Sequence, residues 1–269
     1  MAKTYSALKR AEAEQGLKAE LPAIPSSDQE MGPPFPSLRE PLKIDLPYMM
    51  PRPPASRSLP FAVEEYQRMK YKIIHYDSDV IVKSILFCSP GRREGTSTVL
   101  IHFAQTLAVD GNRVLLVDAN LRNPYLHQTF HLPRENGLVE MIFSGISFRN
   151  LDHFIKATNL ENLFVITGGQ PYANPNSLLE SGYLGDLNEH LKRQWDWILF
   201  DCPPMNAYSD SIALACQADG IVIVVQAEKT RWEVVRGTRD RLENCGGKVL
   251  GIVLNKRRFH IPDWIYKKL

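Results

Sequence analysis

No two of the four cysteines, Cys88, Cys202, Cys216 and Cys245, stand in a C-x-x-C pair, so the chain carries neither a zinc-binding nor a dithiol redox signature. Cys88, Cys202 and Cys216 lie in or beside apolar segments. They read as small core residues in a reducing, cytosolic compartment. Charge of one sign is also lacking: 32 Lys and Arg against 30 Asp and Glu leave a net charge of +2. That balance excludes a nucleic-acid binder driven mainly by phosphate neutralisation. No run reaches the roughly 18–20 apolar residues of a membrane span. The opening MAKTYSALKRAEAEQ has no apolar stretch and does not read as a secretory signal. The expectation is a cytoplasmic protein that reaches the inner face of a membrane only through a partner.

What is present falls into three parts. Residues 1–16 contain a short helical pattern (Ala7, Leu8, Ala11). Residues 17–60 are dense in proline, which removes backbone donors and blocks helix and sheet, so a disordered, semi-extended linker is expected. From 61 to 269 the pattern becomes globular, and an apolar content of 44% supports a real core. A first helix, FAVEEYQRMKYKIIHY, places Val63, Tyr66, Met69 and Ile73 at three- and four-residue spacing. Apolar runs then alternate with helical stretches: 84–89, 113–119, 163–168, 195–201, 220–227 and 248–255, with helices near 95–109, 137–143, 177–193, 209–217 and 230–244. The runs are apolar throughout instead of alternating, as strands buried on both faces are. The predicted fold is α/β, a doubly wound, mostly parallel sheet.

In such a sheet ligands bind beyond the carboxyl ends of the strands. Three segments end there. GRREGTST (91–98) reads as a phosphate-binding loop of the G-x-x-x-x-G-K-[ST] type, with one residue fewer between its glycines and Thr96 where the lysine belongs. Gly91 and Gly95 permit the turn, the helix beginning near Thr96 aims its positive end at the same spot, and Ser97 occupies the Mg²⁺ position. Without the lysine, nucleotide affinity should weaken and phosphoryl transfer should suffer more. Arg92 and Arg93 have two open readings, replacement cations or exposed loop arginines. The second segment, VLLVDANLRNPYLH, ends a strand at Asp118, which could organise Mg²⁺ or a water. Asn120 is a neutral hydrogen-bonder that cannot act as a general base. The third, WDWILFDCPP, ends in Asp201 as a Walker-B-like strand does. Asp210 reads equally as a helix N-cap or a site residue. Asn255 could read a base edge or simply make a turn.

The order GRREGTST, VLLVDANLRNP, ILFDCPP and VLGIVLNK resembles the bacterial tyrosine kinases of capsule and exopolysaccharide systems, within the MinD/ParA-like P-loop ATPases, over about residues 60–258. The opening MAKTYSALKRAEAE is similar to exopolysaccharide-locus members. The resemblance implies ATP or ADP with Mg²⁺, its phosphates on Gly91, Gly95, Ser97 and Thr98, and Arg93, Glu94, Thr96 and Asn255 are the further cofactor-binding candidates. It implies Ser97, Asp118 and Asp201 around the metal, with Asp118 and Asp201 as the catalytic acids. It also implies a membrane-embedded polysaccharide co-polymerase as partner. Departures are plain: Thr96 for lysine, Asn120 for a second aspartate, and one tail tyrosine, Tyr266, instead of a cluster. The family's ring-forming E-x-x-R-x-x-R is here Glu64, Gln67 and Lys70, so homo-oligomerisation through 64–70 loses its arginines. Three readings stay open: an impaired kinase-like regulator, an active autokinase with a substitute cation, and a positioning ATPase.

Overall fold

The structure is a computed structural model that describes residues 59–76, 81–145, 148–179, 182–207 and 210–257. The expected helix over 1–16, residues 17–58 of the expected linker, and the tail with Tyr266 lie outside the described residues.

Helix α1 (Leu59–Ile74) begins two residues before the expected domain start, with Pro60 in its first turn, where a missing N–H costs nothing. There follow β1 (Ser84–Cys88), α2 (Thr96–Val109), β2 (Val114–Asp118), α3 (Leu126–Thr129), α4 (Leu138–Ser144), a 3-10 turn (Phe148–His153), β3 (Lys156–Ala157) and β4 (Leu163–Ile166). Then come α5 (Pro175–Leu179), α6 (Tyr183–Leu191), β5 (Trp197–Asp201), α7 (Asp210–Ala215), β6 (Gly220–Gln226), α8 (Trp232–Asn244) and β7 (Val249–Asn255).

The strands form one seven-stranded sheet in the order β3-β4-β2-β5-β1-β6-β7. Every pairing is parallel except β3 with β4. All five residues of β1, of β2 and of β5 are buried, which is why these strands read as unbroken apolar runs. Successive side chains divide between two cores. Leu86, Val117, Ile198 and Ile223 pack against α4 to α8, while Ile85, Phe87, Leu116 and Leu199 pack against α1, α2 and α3.

Three expectations need correction, and two short elements were not expected. The helix expected over 177–193 is two helices, and Gly182, at φ +75°, sets the start of the second. Val63 is half exposed, although Tyr66, Met69 and Ile73 face α2's core as expected. Cys216 is exposed, its thiol donating to the Cys245 carbonyl, whereas Cys88 and Cys202 are buried. The short β3 and α3 had no periodic signal to reveal them.

On α1, Gln67 Nε2 donates to both oxygens of Asp110 (2.9 and 3.1 Å), and Lys70 Nζ pairs with the same carboxylate at 2.7 Å. Glu64 pairs with Arg68 at 2.6 Å. The ring-motif positions are thus engaged within one chain. Among the described residues no helix is long and apolar enough to cross a membrane.

Candidate functional site

The loop after β1 turns through two left-handed residues, Arg93 (φ +62°) and Gly95 (φ +93°), before α2 begins. Gly95 is the N-cap, and no side chain caps the helix among the described residues. The first-turn amides of Thr96, Ser97 and Thr98 therefore remain available, at the positive end of a 14-residue helix. These residues line a cleft of about 640 Å³ with Ser89, Gly91, Arg92, Arg93, Glu94, Asn120, Arg122, Asn123, Tyr125, Cys202 and Pro204. The cleft opens at the carboxyl ends of β1, β2 and β5, where this fold places ligands.

Thr96 is nearly buried and brings no charge. Positive side chains at the cleft are instead guanidiniums: Arg92, Arg93 and Arg122.

Glu94 does something the sequence did not suggest. Its carboxylate is buried and accepts from the Gly91 N–H (2.8 Å) and the Gln226 N–H (3.0 Å). It ties the loop to the end of β6 and occupies one amide of the cradle. Asn255 lies close by, but its amide is engaged by the chain itself, with Nδ2 donating to the Glu94 carbonyl at 2.8 Å.

Below the loop, Asp118 and Asp201 are register partners on β2 and β5, both fully buried. Ser97 Oγ donates to Asp201 Oδ2 at 2.6 Å, joining the start of α2 to the end of β5. Asp118 Oδ2 accepts from the Tyr125 and Leu126 N–H groups (2.9 and 3.0 Å), so it shapes the loop entering α3. On each aspartate the other oxygen, Oδ1, is buried without a hydrogen-bond partner among the described residues. Burial pushes both carboxyls up, Asp118 to about 7 and Asp201 to about 8. The neighbouring Asp118 charge raises Asp201 further, while the Ser97 hydroxyl draws it back. For Asp118 the opposing pulls are backbone N–H groups of Leu126, Tyr125 and Asn120, then the Arg134 charge.

Two orphaned carboxylate oxygens under a basic cleft fit a divalent cation. Among the described residues no group of three or more His, Cys, Asp or Glu could cage a metal. The donor set suits Mg²⁺, which takes one or two carboxylates and completes its shell from phosphate and water. Ser97, Asp118 and Asp201 are the residues that would hold it.

The structure brings together Gly91, Arg93, Glu94, Gly95, Thr96, Ser97, Thr98, Asp118 and Asp201, with Asn255 tied to the loop from behind. Asp210 opens α7, but its side chain lies outside the described residues. Sequence reasoning passed over Lys256, whose Nζ donates to the Arg93 carbonyl at 2.6 Å. No residue identity signals it, because its partner is a backbone carbonyl.

Sheet order, loop and acidic pair together define a P-loop protein of the doubly wound class. A family described as AAA domain matches residues 93–241. The putative tyrosine-protein kinase CapB of Staphylococcus aureus is 32% identical over 193 residues, which cover 72% of this chain and 83% of CapB. Tyrosine-protein kinase YwqD of Bacillus subtilis (strain 168) is 32% identical over 195 residues, 72% of this chain and 81% of YwqD. The kinase domain of the Escherichia coli tyrosine kinase ETK superposes with a TM-score of 0.69 at 25% identity, over 74% of this chain and 78% of that one. The chain belongs to the bacterial tyrosine-kinase family.

Proposed function

We propose that this chain is a kinase-like regulator of exopolysaccharide or capsule assembly, binding ADP or ATP with Mg²⁺ and impaired in phosphoryl transfer. The observation that carries the reading is the pairing of the retained acids Asp118 and Asp201 with an altered loop. Among the described residues Asp118 and Asp201 each keep an orphaned oxygen, and Ser97 is bonded to Asp201, yet position 96 is a nearly buried threonine. Phosphoryl transfer depends chiefly on stabilising charge that develops on the transferred group. Threonine supplies none, and Asn120 cannot take a proton as a second aspartate could. Bound Mg²⁺ would neutralise phosphate charge, while the chain's own first-turn amides and Ser97 orient the diphosphate.

The chain's side of the chemistry is then recognition more than turnover. Loop amides and the end of α2 bind the anion. Asp118 and Asp201 hold the cation, and Asp201 keeps the loop seated through Ser97. The downstream partner would be a membrane-embedded polysaccharide co-polymerase that reads the nucleotide-dependent shape of the loop and of the segment after Asp118. Support for the polysaccharide context is kinship with tyrosine-protein kinases such as CapB.

One observation favours an active autokinase instead: Arg92, Arg93 and Arg122 all line the cleft. Incubation of the full chain with ATP and Mg²⁺, read with an anti-phosphotyrosine antibody, separates the two. The regulator reading expects no phosphotyrosine in the wild type. Wild-type phosphotyrosine that disappears in Asp201→Ala would establish the active reading.

A further inference from the structure

Two consecutive residues at the end of β7 grip two consecutive carbonyls of the phosphate loop. Lys256 Nζ donates to the Arg93 carbonyl at 2.6 Å, and Asn255 Nδ2 donates to the Glu94 carbonyl at 2.8 Å. The Asn255 amide is itself fixed, because its Oδ1 accepts the Lys256 N–H at 2.8 Å. Lys256 takes φ +56°, a left-handed conformation that few residues bearing a side chain adopt. The lysine stem also runs beside Gly95, where an added Cβ would sit 3.7 Å from Lys256 Cε.

The consequence follows from peptide geometry. In a planar trans peptide the carbonyl and the next N–H point in opposite directions. Holding the carbonyls of 93 and 94 toward β7 turns the N–H groups of Glu94 and Gly95 the other way. Neither N–H has a hydrogen-bond partner among the described residues, and both residues line the cleft. Two successive amides presented in this manner, through a left-handed turn, are the elements of an anion-binding nest.

We propose that Asn255 and Lys256 form a clamp that keeps the anion cradle in shape in the absence of a loop lysine, with Lys256 supplying from β7 the ammonium that steadies the loop backbone. Lys256 is a positioning residue: it acts on the ligand through the Arg93 and Glu94 peptides. The ligand class it prepares is a nucleoside diphosphate, so the inference rests on the nucleotide reading of the cleft.

The test uses the full chain as wild type, Lys256→Ala and Lys256→Arg, with two readouts. Calorimetry gives ADP affinity in the presence of Mg²⁺. Brief trypsin digestion with mass spectrometry gives the rate of cutting after Arg93, the peptide whose carbonyl the lysine holds. Lys256→Ala is expected to weaken ADP roughly tenfold and to speed the cut after Arg93, and Lys256→Arg, which keeps a charged donor, is expected to restore both. If neither readout moves in Lys256→Ala, the clamp is wrong. Weaker ADP binding with an unchanged cut also overturns it, because the lysine would then act on the ligand directly. If the wild type binds no ADP while the cut still accelerates, the clamp stands and the nucleotide reading falls.

Discussion

Asp118 and Asp201 face each other across adjacent parallel strands as register partners, and each has one carboxylate oxygen bonded and one without a partner among the described residues. The bonded oxygens organise the chain: Asp201 holds Ser97, and Asp118 holds the turn at Tyr125 and Leu126. The unbonded oxygens are what a cation would take.

This arrangement makes the chain less stable as pH rises. Both carboxyls have folded-state values above the ordinary carboxylate range, about 7 and 8. Between the unfolded value near 4 and those values, the folded chain holds protons that the unfolded chain has released, so stability falls with rising pH. Asp201→Asn removes one charge from the pair. At pH 8 without Mg²⁺ it is expected to stabilise the fold, on the order of 1–3 kcal/mol, with the gain fading toward pH 4. Thermal unfolding over that pH series checks it, and a loss of stability at pH 8 would contradict the account.

Thr96→Lys returns an ammonium to the first turn of α2. Thr96 lines the cleft, so a lysine there has space to extend toward bound phosphate. ADP affinity in Mg²⁺ should rise by about tenfold or more, from one added charged hydrogen bond. An unchanged affinity would mean that the diphosphate does not lie over this loop.

Gly95→Ala should be harmful for two separate reasons. Gly95 sits at φ +93°, and an added Cβ would overlap Asn255 Nδ2, the group that holds the Glu94 carbonyl. The expected loss is about 1–3 kcal/mol, seen as a lowered melting temperature together with weakened ADP binding. An alanine variant as stable as wild type would show that the loop is not held in this turn.

On α1, Asp110 takes up both Gln67 and Lys70. The Lys70 hydrogen bond is the chief cause that holds the Asp110 carboxyl below its usual range. With these positions engaged internally, the full chain is expected to sediment as a single copy in the presence of ADP and Mg²⁺. Asp110→Ala should change stability by less than about 1 kcal/mol, since the pair is partly exposed. A ring of wild-type chains in sedimentation velocity would contradict this.

Much of this fold is legible because burial on both sheet faces leaves an unmistakable mark. VLLVD and WILFD are apolar until a terminal aspartate, and that terminal position is where a parallel sheet presents its ligands. The break at Gly182 was hidden inside a continuous helical pattern, since one glycine does not by itself end a helix. β3 is two residues long and too short to show a period. Glu94 and Lys256 were illegible for a different reason. Glu94 bonds to backbone groups, one of them at Gln226 in a distant strand, and Lys256 reaches back to the carbonyl of Arg93, far away in the chain. Bonds to backbone groups leave no trace in the identity of the partner residue.

The most direct test is calorimetric titration of the full chain with ADP in Mg²⁺, beside Asp201→Ala. Binding that is measurable in the wild type, lost in Asp201→Ala and lost when Mg²⁺ is chelated is the predicted result. A folded wild-type chain that gives no binding signal at millimolar ADP, or one that binds equally well without Asp201, would contradict a cradle built from loop amides and an acidic floor.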